Sequence, residues 1–460
     1  MRAFGRFLSM VTPPLFLISS LHADGLADLA RRYARDYGVI SRAHARIPSF
    51  SRQTGLACSA CHTTFPQLTP FGRTFKLNGY TLTGLQLVKA GDSGKRATLQ
   101  LDLIPPVSAM VLSSLTQTRK TQPGTQNGNV DFPQELSLFF GEAITPHIGT
   151  FLQITYDPRE GGIGMDNADI RYSNHANLGS KVLTYGFSLN NNPTVQDVWN
   201  SVPAWGFPFA ASETAPTPAA ATMLDGAFGQ QTAGLGAYGL WDNHLYAEFS
   251  VYRSAVQGGP NPPDESSTNT LHGVGPYWRG FYQNHWGAQA LMVGTLGMST
   301  SLYPEGVTGL RNRFTEIGFD AQYERALGGG NLTGHAIWIH EKQKLAADFA
   351  AGTAANQENT LKTLRVDASA YTPSRFGLTL GYFNTTGTED PLHYAESNAT
   401  GRPNSNGFIM ELSALPWLNT RFELQYVFYN KFNGTKSNYD GAGRNAHDNN
   451  TLYLLSWVAF

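Results

Sequence analysis

Cysteine is nearly absent from this chain: 460 residues carry two. That excludes a disulfide framework and any four-cysteine zinc or iron–sulfur site. Charge is scarce as well, 15% of residues against about 25% in ordinary globular chains. It is also balanced, 33 basic against 34 acidic residues for a net −1, so there is no basic footprint and no nucleic-acid partner is expected. Beyond residue 21 no apolar run reaches the roughly 18 residues of a spanning helix, which excludes a helical membrane protein. Glycine (48 residues) and aromatics (12%) are plentiful. With so little charge, that composition favours one large barrel over a string of soluble domains.

Residues 1–23 read as a secretory signal peptide: Arg2 and Arg6, then an apolar core from Phe7 to Leu21, then Ala23 at the cut. Pro13-Pro14 interrupts that core, and Leu21 is large for its place. Ala43-His44-Ala45 fits the small-x-small rule better, but Asp28, Arg31, Arg32, Arg35, Asp36 and Arg42 separate it from the apolar core. Cleavage is therefore expected after Ala23. Residues 24–45 follow as a linker with a short amphipathic helix over 26–40, in which Leu26, Leu29, Tyr33, Tyr37 and Ile40 share a face.

The two cysteines lie three apart with a histidine next: Cys58-Ser59-Ala60-Cys61-His62. C-x-x-C-H is the attachment motif of c-type haem, with two thiols for the vinyl groups and the histidine as proximal iron ligand. A thioredoxin-like pair would need a βαβ context, which residues 40–80 lack. One motif implies one covalent haem c, bound by Cys58, Cys61 and His62. The distal ligand stays open. No methionine occurs between Ser20 and Ala109, so the candidates are His44, Met110, or a vacant or water-bound position. The haem segment, placed at 46–96, has few residues with which to enclose its cofactor, since chains below about 40 residues seldom pack a core alone. The rest of the chain must help.

Residues 97–460 alternate apolar and polar between turn-rich breaks. Phe422, Leu424, Tyr426 and Phe428 oppose Arg421, Glu423, Gln425 and Lys431. Leu245, Ala247, Phe249 and Val251 oppose His244, Tyr246, Glu248 and Ser250. Stretches 315–324 and 364–370 behave alike. A soluble sandwich would also alternate. Charges of both signs on the polar face and two classes of turn length tilt the reading to a transmembrane antiparallel β-barrel in outer-membrane lipid. A last strand ending on Phe460 resembles the assembly signal of such barrels.

About fifteen strands are legible, near 97–117, 133–144, 148–157, 166–174, 181–190, 231–241, 243–253, 286–299, 313–325, 331–342, 360–371, 375–386, 406–415, 419–431 and 451–460. Bacterial barrels take even numbers, so sixteen are expected, with fourteen as the alternative. Pro105-Pro106 interrupts the first strand. If its parity holds, Leu99, Leu101, Leu103, Val107 and Val111 face lipid, and Met110 faces the lumen with Gln100, Asp102 and Ser108. The irregular stretch 190–225, with Trp199 and Trp205, either folds inward over the pore or forms a long extracellular loop.

The stretch Pro48 to Tyr80, with Phe50, Arg52, Gln53, Gly55, Cys58, Cys61, His62, Phe65, Pro66, Leu68, Phe71, Gly72, Arg73, Phe75, Lys76 and Gly79, resembles the fused monohaem cytochrome–porins of the outer membrane of iron-oxidising bacteria. The resemblance implies a haem segment of helix and loop plugging an all-β barrel. It implies an iron(II)-oxidising electron-transfer protein that accepts electrons from extracellular Fe(II) and passes them to a periplasmic c-type cytochrome or other soluble acceptor. Arg52, Arg73 and Lys76 are expected to be solvated charges or partners of haem propionates. No iron-binding carboxylate stands out, since lumen-side Asp and Glu recur on many strands. Two other functions remain: a solute porin whose haem plug is structural or redox-sensing, and a conduit for a different extracellular redox partner.

Overall fold

The computed structural model describes residues 48–82, 106–159, 162–225, 228, 231–255 and 268–460. The signal segment, the helix expected over 26–40, His44, and residues 97–105 at the head of the first expected strand lie outside the described residues.

Seventeen strands make one antiparallel sheet. In chain order they are β1 Val107–Thr118, β2 Asn129–Thr145, β3 Ile148–Asp157, β4 Gly162–Leu178, β5 Lys181–Asn190, β6 Thr232–Trp241, β7 Leu245–Ser254 and β8 Thr268–Leu271. They continue as β9 Gly275–Trp286, β10 Gln289–Glu305, β11 Asn312–Leu327, β12 Gly330–Leu345, β13 Glu358–Tyr371, β14 Phe376–Gly387, β15 Ser405–Trp417, β16 Thr420–Lys431 and β17 Thr451–Ala459. The sheet closes because β1 bonds β2 on one side, Val107 opposite Phe140, and β17 on the other, Met110 opposite Ala459. Closure leaves no open edge, which is what lets strands cross a bilayer.

The seventeenth strand is an extension rather than a stave. On β10, Met298 faces Tyr277 of β9 and Leu302 faces Leu271 of β8. Two extra residues therefore bulge out between β8 and β9, and the wall itself has the sixteen strands expected.

The strand that alternation failed to mark is β9. Its inward residues Tyr277, Arg279 and Phe281 are buried, and its outward side carries Trp278, Gly280 and Tyr282. Aromatics on both faces erase the period-two contrast, and Pro276 further disguises the start. Elsewhere the expected faces hold: Phe422, Leu424 and Phe428 point outward, while Arg421, Glu423 and Gln425 are buried. On β1, Ser108 and Met110 are buried in the lumen while Val107 and Val111 are half-exposed outside.

The turns at 146–147, 179–180, 242–244, 287–288, 328–329, 372–375 and 418–419 are short and share one end of the barrel. The longer connections, among them 191–231, 388–404 and 432–450, share the other. Strand β1 begins, and β17 ends, at the short-turn end. An apolar exterior around a polar interior is the membrane-spanning type of barrel.

A charge placed on the outer face should be costly. Phe319 lies mid-strand on β11 and is 52% exposed. Phe319→Arg is expected to destabilise the barrel by about 2–4 kcal/mol at the bilayer midplane. Urea unfolding in lipid vesicles measures this; an unchanged midpoint would contradict the assigned lipid face.

Candidate functional site

The segment from Pro48 to Leu82 lies inside the barrel, nearer the short-turn end. It starts with a six-residue helix, α1 (Ser49–Thr54), which Gly55 stops by turning left-handed at φ 70°. A single turn, α2 (Cys58–Cys61), carries both thiols on one short element, and the His62 amide closes it onto the Cys58 carbonyl at 2.9 Å. Then α3 (Pro70–Leu77) begins with a good cap: the Thr69 hydroxyl accepts the Gly72 amide, and Pro70 occupies the first helical position. Thr69 also ties α3 to α2, its amide donating to Cys61 at 2.9 Å and its hydroxyl to Ala60 at 2.6 Å. Gly72 is needed here, because any Cβ would run into the Cys61 carbonyl. His62 and Leu68 form a β-bridge that closes the intervening loop.

The donor set suits the cofactor its spacing implies. The two sulfurs are not bonded to each other. Burial, with Cys58 adding to it, pushes the Cys61 thiol up to about 12, and burial likewise raises Cys58. A nucleophilic redox pair needs the opposite, a lowered thiol pKa. Burial pulls the His62 imidazole down to about 4, against a weaker upward push from the Pro66 and Gln67 backbone. It is therefore held neutral, the form that ligates a metal. Its Nδ1 is buried without a hydrogen-bond partner, and Phe65 packs on the ring at 4.8 Å.

Of the two distal candidates, His44 lies outside the described residues. Met110 is 1% exposed and belongs to a lumen cluster with Leu112, Tyr453 and Trp457. Phe65 packs against that cluster as well as against His62, which puts Met110 in the neighbourhood of the motif.

The wall grips the plug all round. The Gln53 side-chain amide and the Ser49 hydroxyl donate to the Gly141 carbonyl on β2, where the Phe50 ring fills the space above a glycine. Arg52 donates to the Val107 carbonyl at 2.5 Å. Arg73 makes a two-pronged ion pair with Glu324 on β11 at 2.7 and 2.8 Å and lies 3.5 Å over the Trp199 ring. Tyr80 donates to Asp169 on β4 at 2.6 Å, and Tyr238 on β6 donates to the Leu77 carbonyl at 2.6 Å. Arg421 on β16 donates to the Phe65 carbonyl at 2.7 Å while paired with Glu411 and Glu423. Arg73 is thus a buried structural cation rather than a solvated one, at 4% exposure. Lys76 donates to the Val195 carbonyl, and burial pulls it down to about 8.

The described residues of the long connection 191–231 fold inward, one of the two dispositions open from sequence. Its short helix α4 (Pro193–Gln196) is buried, and Trp199 packs with Leu77, Tyr238, Phe281 and Met292. Burial alone would raise Asp197, but Arg279 on β9 and the Trp199 and Ser201 amides hold it below the usual carboxylate range. Farther along, Glu341 and Glu316 accept the amides of Met223 and Leu224, and Arg365 on β13 pairs with Asp225. The loop lies across the plug and occupies the lumen with it. Among the described residues no group of three or more His, Cys, Asp or Glu is placed to hold a metal ion.

The fold and site together define a membrane-spanning β-barrel whose lumen is filled by a C-x-x-C-H-bearing plug and an inward loop. No family model and no curated protein matches the chain. Solved structures similar to it include the anion-selective porin from Comamonas acidovorans, at 14% identity over 77% of this chain and 98% of that one, with a TM-score of 0.45. OmpF of Salmonella typhi in complex with daunomycin is similar at 11% identity over 77% and 97%, TM-score 0.47. So is OmpT of Vibrio cholerae lacking loop L8, at 8% identity over 77% and 98%, TM-score 0.44. Likenesses this low carry no argument; the barrel stands on its own strand register.

Removing one partner of a buried ion pair costs about 3–5 kcal/mol, because the other charge is left behind. Glu324→Ala is therefore expected to loosen the plug. Trypsin cleavage after Arg52, Arg73 or Lys76 in the assembled barrel should rise at least tenfold, read by mass spectrometry. Cleavage at the unaltered rate would mean that the plug is held without this pair.

Proposed function

We propose that the chain is an outer-membrane electron conduit: one haem c, joined to Cys58 and Cys61 and ligated by His62, accepts single electrons from extracellular Fe(II). The electrons pass to a periplasmic c-type cytochrome or other soluble acceptor. The observation that carries this reading is the position of the three motif residues together on a plug inside the lumen, with His62 Nδ1 buried and without a hydrogen-bond partner. The haem would supply one-electron chemistry; the protein supplies position, low dielectric and axial ligation.

Geometry favours conduction across the wall's thickness. About 30 Å of hydrocarbon insulates the two sides of a bilayer. A redox group inside a barrel shortens that gap while the wall keeps lipid away. Strand β1 begins and β17 ends at the short-turn end, which by the habit of outer-membrane barrels is periplasmic. The plug would then stand on the side of the soluble acceptor, with the donor approaching over the long loops. Ferric iron hydrolyses to insoluble oxide, so oxidising Fe(II) outside keeps precipitate out of the cell. Arg52, Arg73 and Lys76 each have a protein partner, so their role toward the haem would be to fix the plug.

A solute porin with a structural or redox-sensing haem plug is the competing reading, since the scaffold is porin-like. A lumen filled by plug and loop disfavours it. Anaerobic Fe(II) mixed with membranes containing the protein should yield reduced-haem absorbance bands that Cys58→Ala membranes lack. Planar bilayers should show a conductance at least tenfold below that of an open porin. A haem reduced by dithionite but not by Fe(II) would redirect the search to another donor. A large steady conductance would overturn conduction in favour of solute passage.

A further inference from the structure

Strand β12 carries His335 into the lumen. Its Nδ1 lies 2.7 Å from Asp367 Oδ2 on β13, and its Nε2 lies 3.1 Å from the Gln67 amide nitrogen of the plug. Asp367 is buried and bonds to no lysine or arginine among the described residues. Neighbouring charges are engaged elsewhere. Glu324 on β11 holds Arg73 of α3, Asp320 on β11 shares Arg279 of β9 with Asp197 of the inward loop, and Arg365 on β13 holds Asp225 of that loop. The edge of the Phe209 ring completes the surroundings. The His335–Asp367 pair therefore carries one negative charge when the imidazole is neutral and none when it is protonated.

A proton can reach it. Gln67, His335 and Asp367 all line one small, partly open cavity between plug, loop and wall. Gln67 suits both protonation states. Its amide nitrogen now donates to a bare Nε2, and its Oε1 is buried with no partner. Turning the amide over presents that oxygen to an Nε2–H. Gln67 also belongs to the loop that carries His62: its carbonyl accepts the Thr63 amide at 3.1 Å, inside the His62–Leu68 bridge.

We propose that Gln67, His335 and Asp367 form a proton-uptake site coupled to the redox centre of the plug. The inference rests on the haem reading above. With haem c held by Cys58, Cys61 and His62, each electron that Fe(II) gave up in becoming Fe(III) would be matched by one proton taken from cavity water onto His335 Nε2. When the electron leaves to the periplasmic acceptor, the proton returns to the cavity. The pair thus cancels the charge that each electron brings into a low-dielectric lumen, where an unbalanced charge is most costly.

The test is a spectroelectrochemical titration of the haem in the full-length protein, from about pH 4 to 9, a range that brackets histidine titration. The midpoint potential should fall as pH rises across one window, by no more than about 59 mV per pH unit, the one-electron equivalent of a tenfold change. His335→Gln should abolish that slope. Asp367→Asn removes the charge that favours imidazolium and should move the window to lower pH; it decides the matter alone if His335→Gln fails to assemble. A pH-independent potential in the unaltered protein, or profiles unchanged by the variants, overturns the proposal and leaves the haem reading standing. Absence of covalent haem, read as a pyridine haemochrome, overturns both.

Discussion

An ion left unpaired in a space with little water is expensive, and the interior of this barrel is organised around avoiding that. Arg73, Arg171, Arg279 and Arg421 are all buried. Each meets a carboxylate, and each reaches between parts of the chain that are far apart in sequence. Arg73 joins plug to wall; Arg279 joins β9 to the inward loop through Asp197 and to β11 through Asp320. Arg171 pairs with Asp169 beside it and donates to the Gln196 carbonyl of the loop. Arg421 gathers Glu411 and Glu423 and the plug's Phe65 carbonyl. The packing of plug on loop and loop on wall brings each of these four guanidiniums to a carboxylate. Buried pairs of this kind specify one arrangement more than they add stability, since an apolar replacement of the whole cluster is often as stable.

Close approach is the second requirement, and two glycines meet it. Gly141 on β2 leaves room for the Phe50 ring, and Gly149 on β3 lets the Gly79–Tyr80 corner lie against the strand backbone. At both places a side chain would hold the plug away from the wall. The polar contacts made beside them, from Ser49 and Gln53 to the Gly141 carbonyl, depend on that closeness.

Much of the wall was legible in the sequence because a strand's side chains alternate strictly, so Phe422 and Arg421 announce their faces without help from the rest of the fold. β9 escaped because Tyr277 and Trp278 sit on opposite faces yet look alike to any hydrophobicity count. The C-x-x-C-H motif was legible because Cys58, Cys61 and His62 are neighbours in the chain. Its supports were not. That Glu324 faces the lumen could be read from its parity in β11, but that it meets Arg73 depends on how a plug and a closed sheet fit together. The same holds for Gln67 against His335. Arg73 reads as solvated until the lumen around it is known. Whether 191–231 turned in or out was likewise decided by partners such as Arg279 and Glu341, 82 and 118 positions from the loop residues they meet.

The Phe65 carbonyl and its donor Arg421 lie 356 residues apart, and the Phe65 ring stacks at 6.1 Å on Trp457 of the closing strand. The plug is made early in synthesis, yet it gains these partners only when the last hairpin is in place. During assembly there is consequently an interval in which the C-x-x-C-H turn exists as chain but is not yet walled in. That interval is when machinery outside the barrel has its freest access to the two thiols, and the seam between β1 and β17 marks its end.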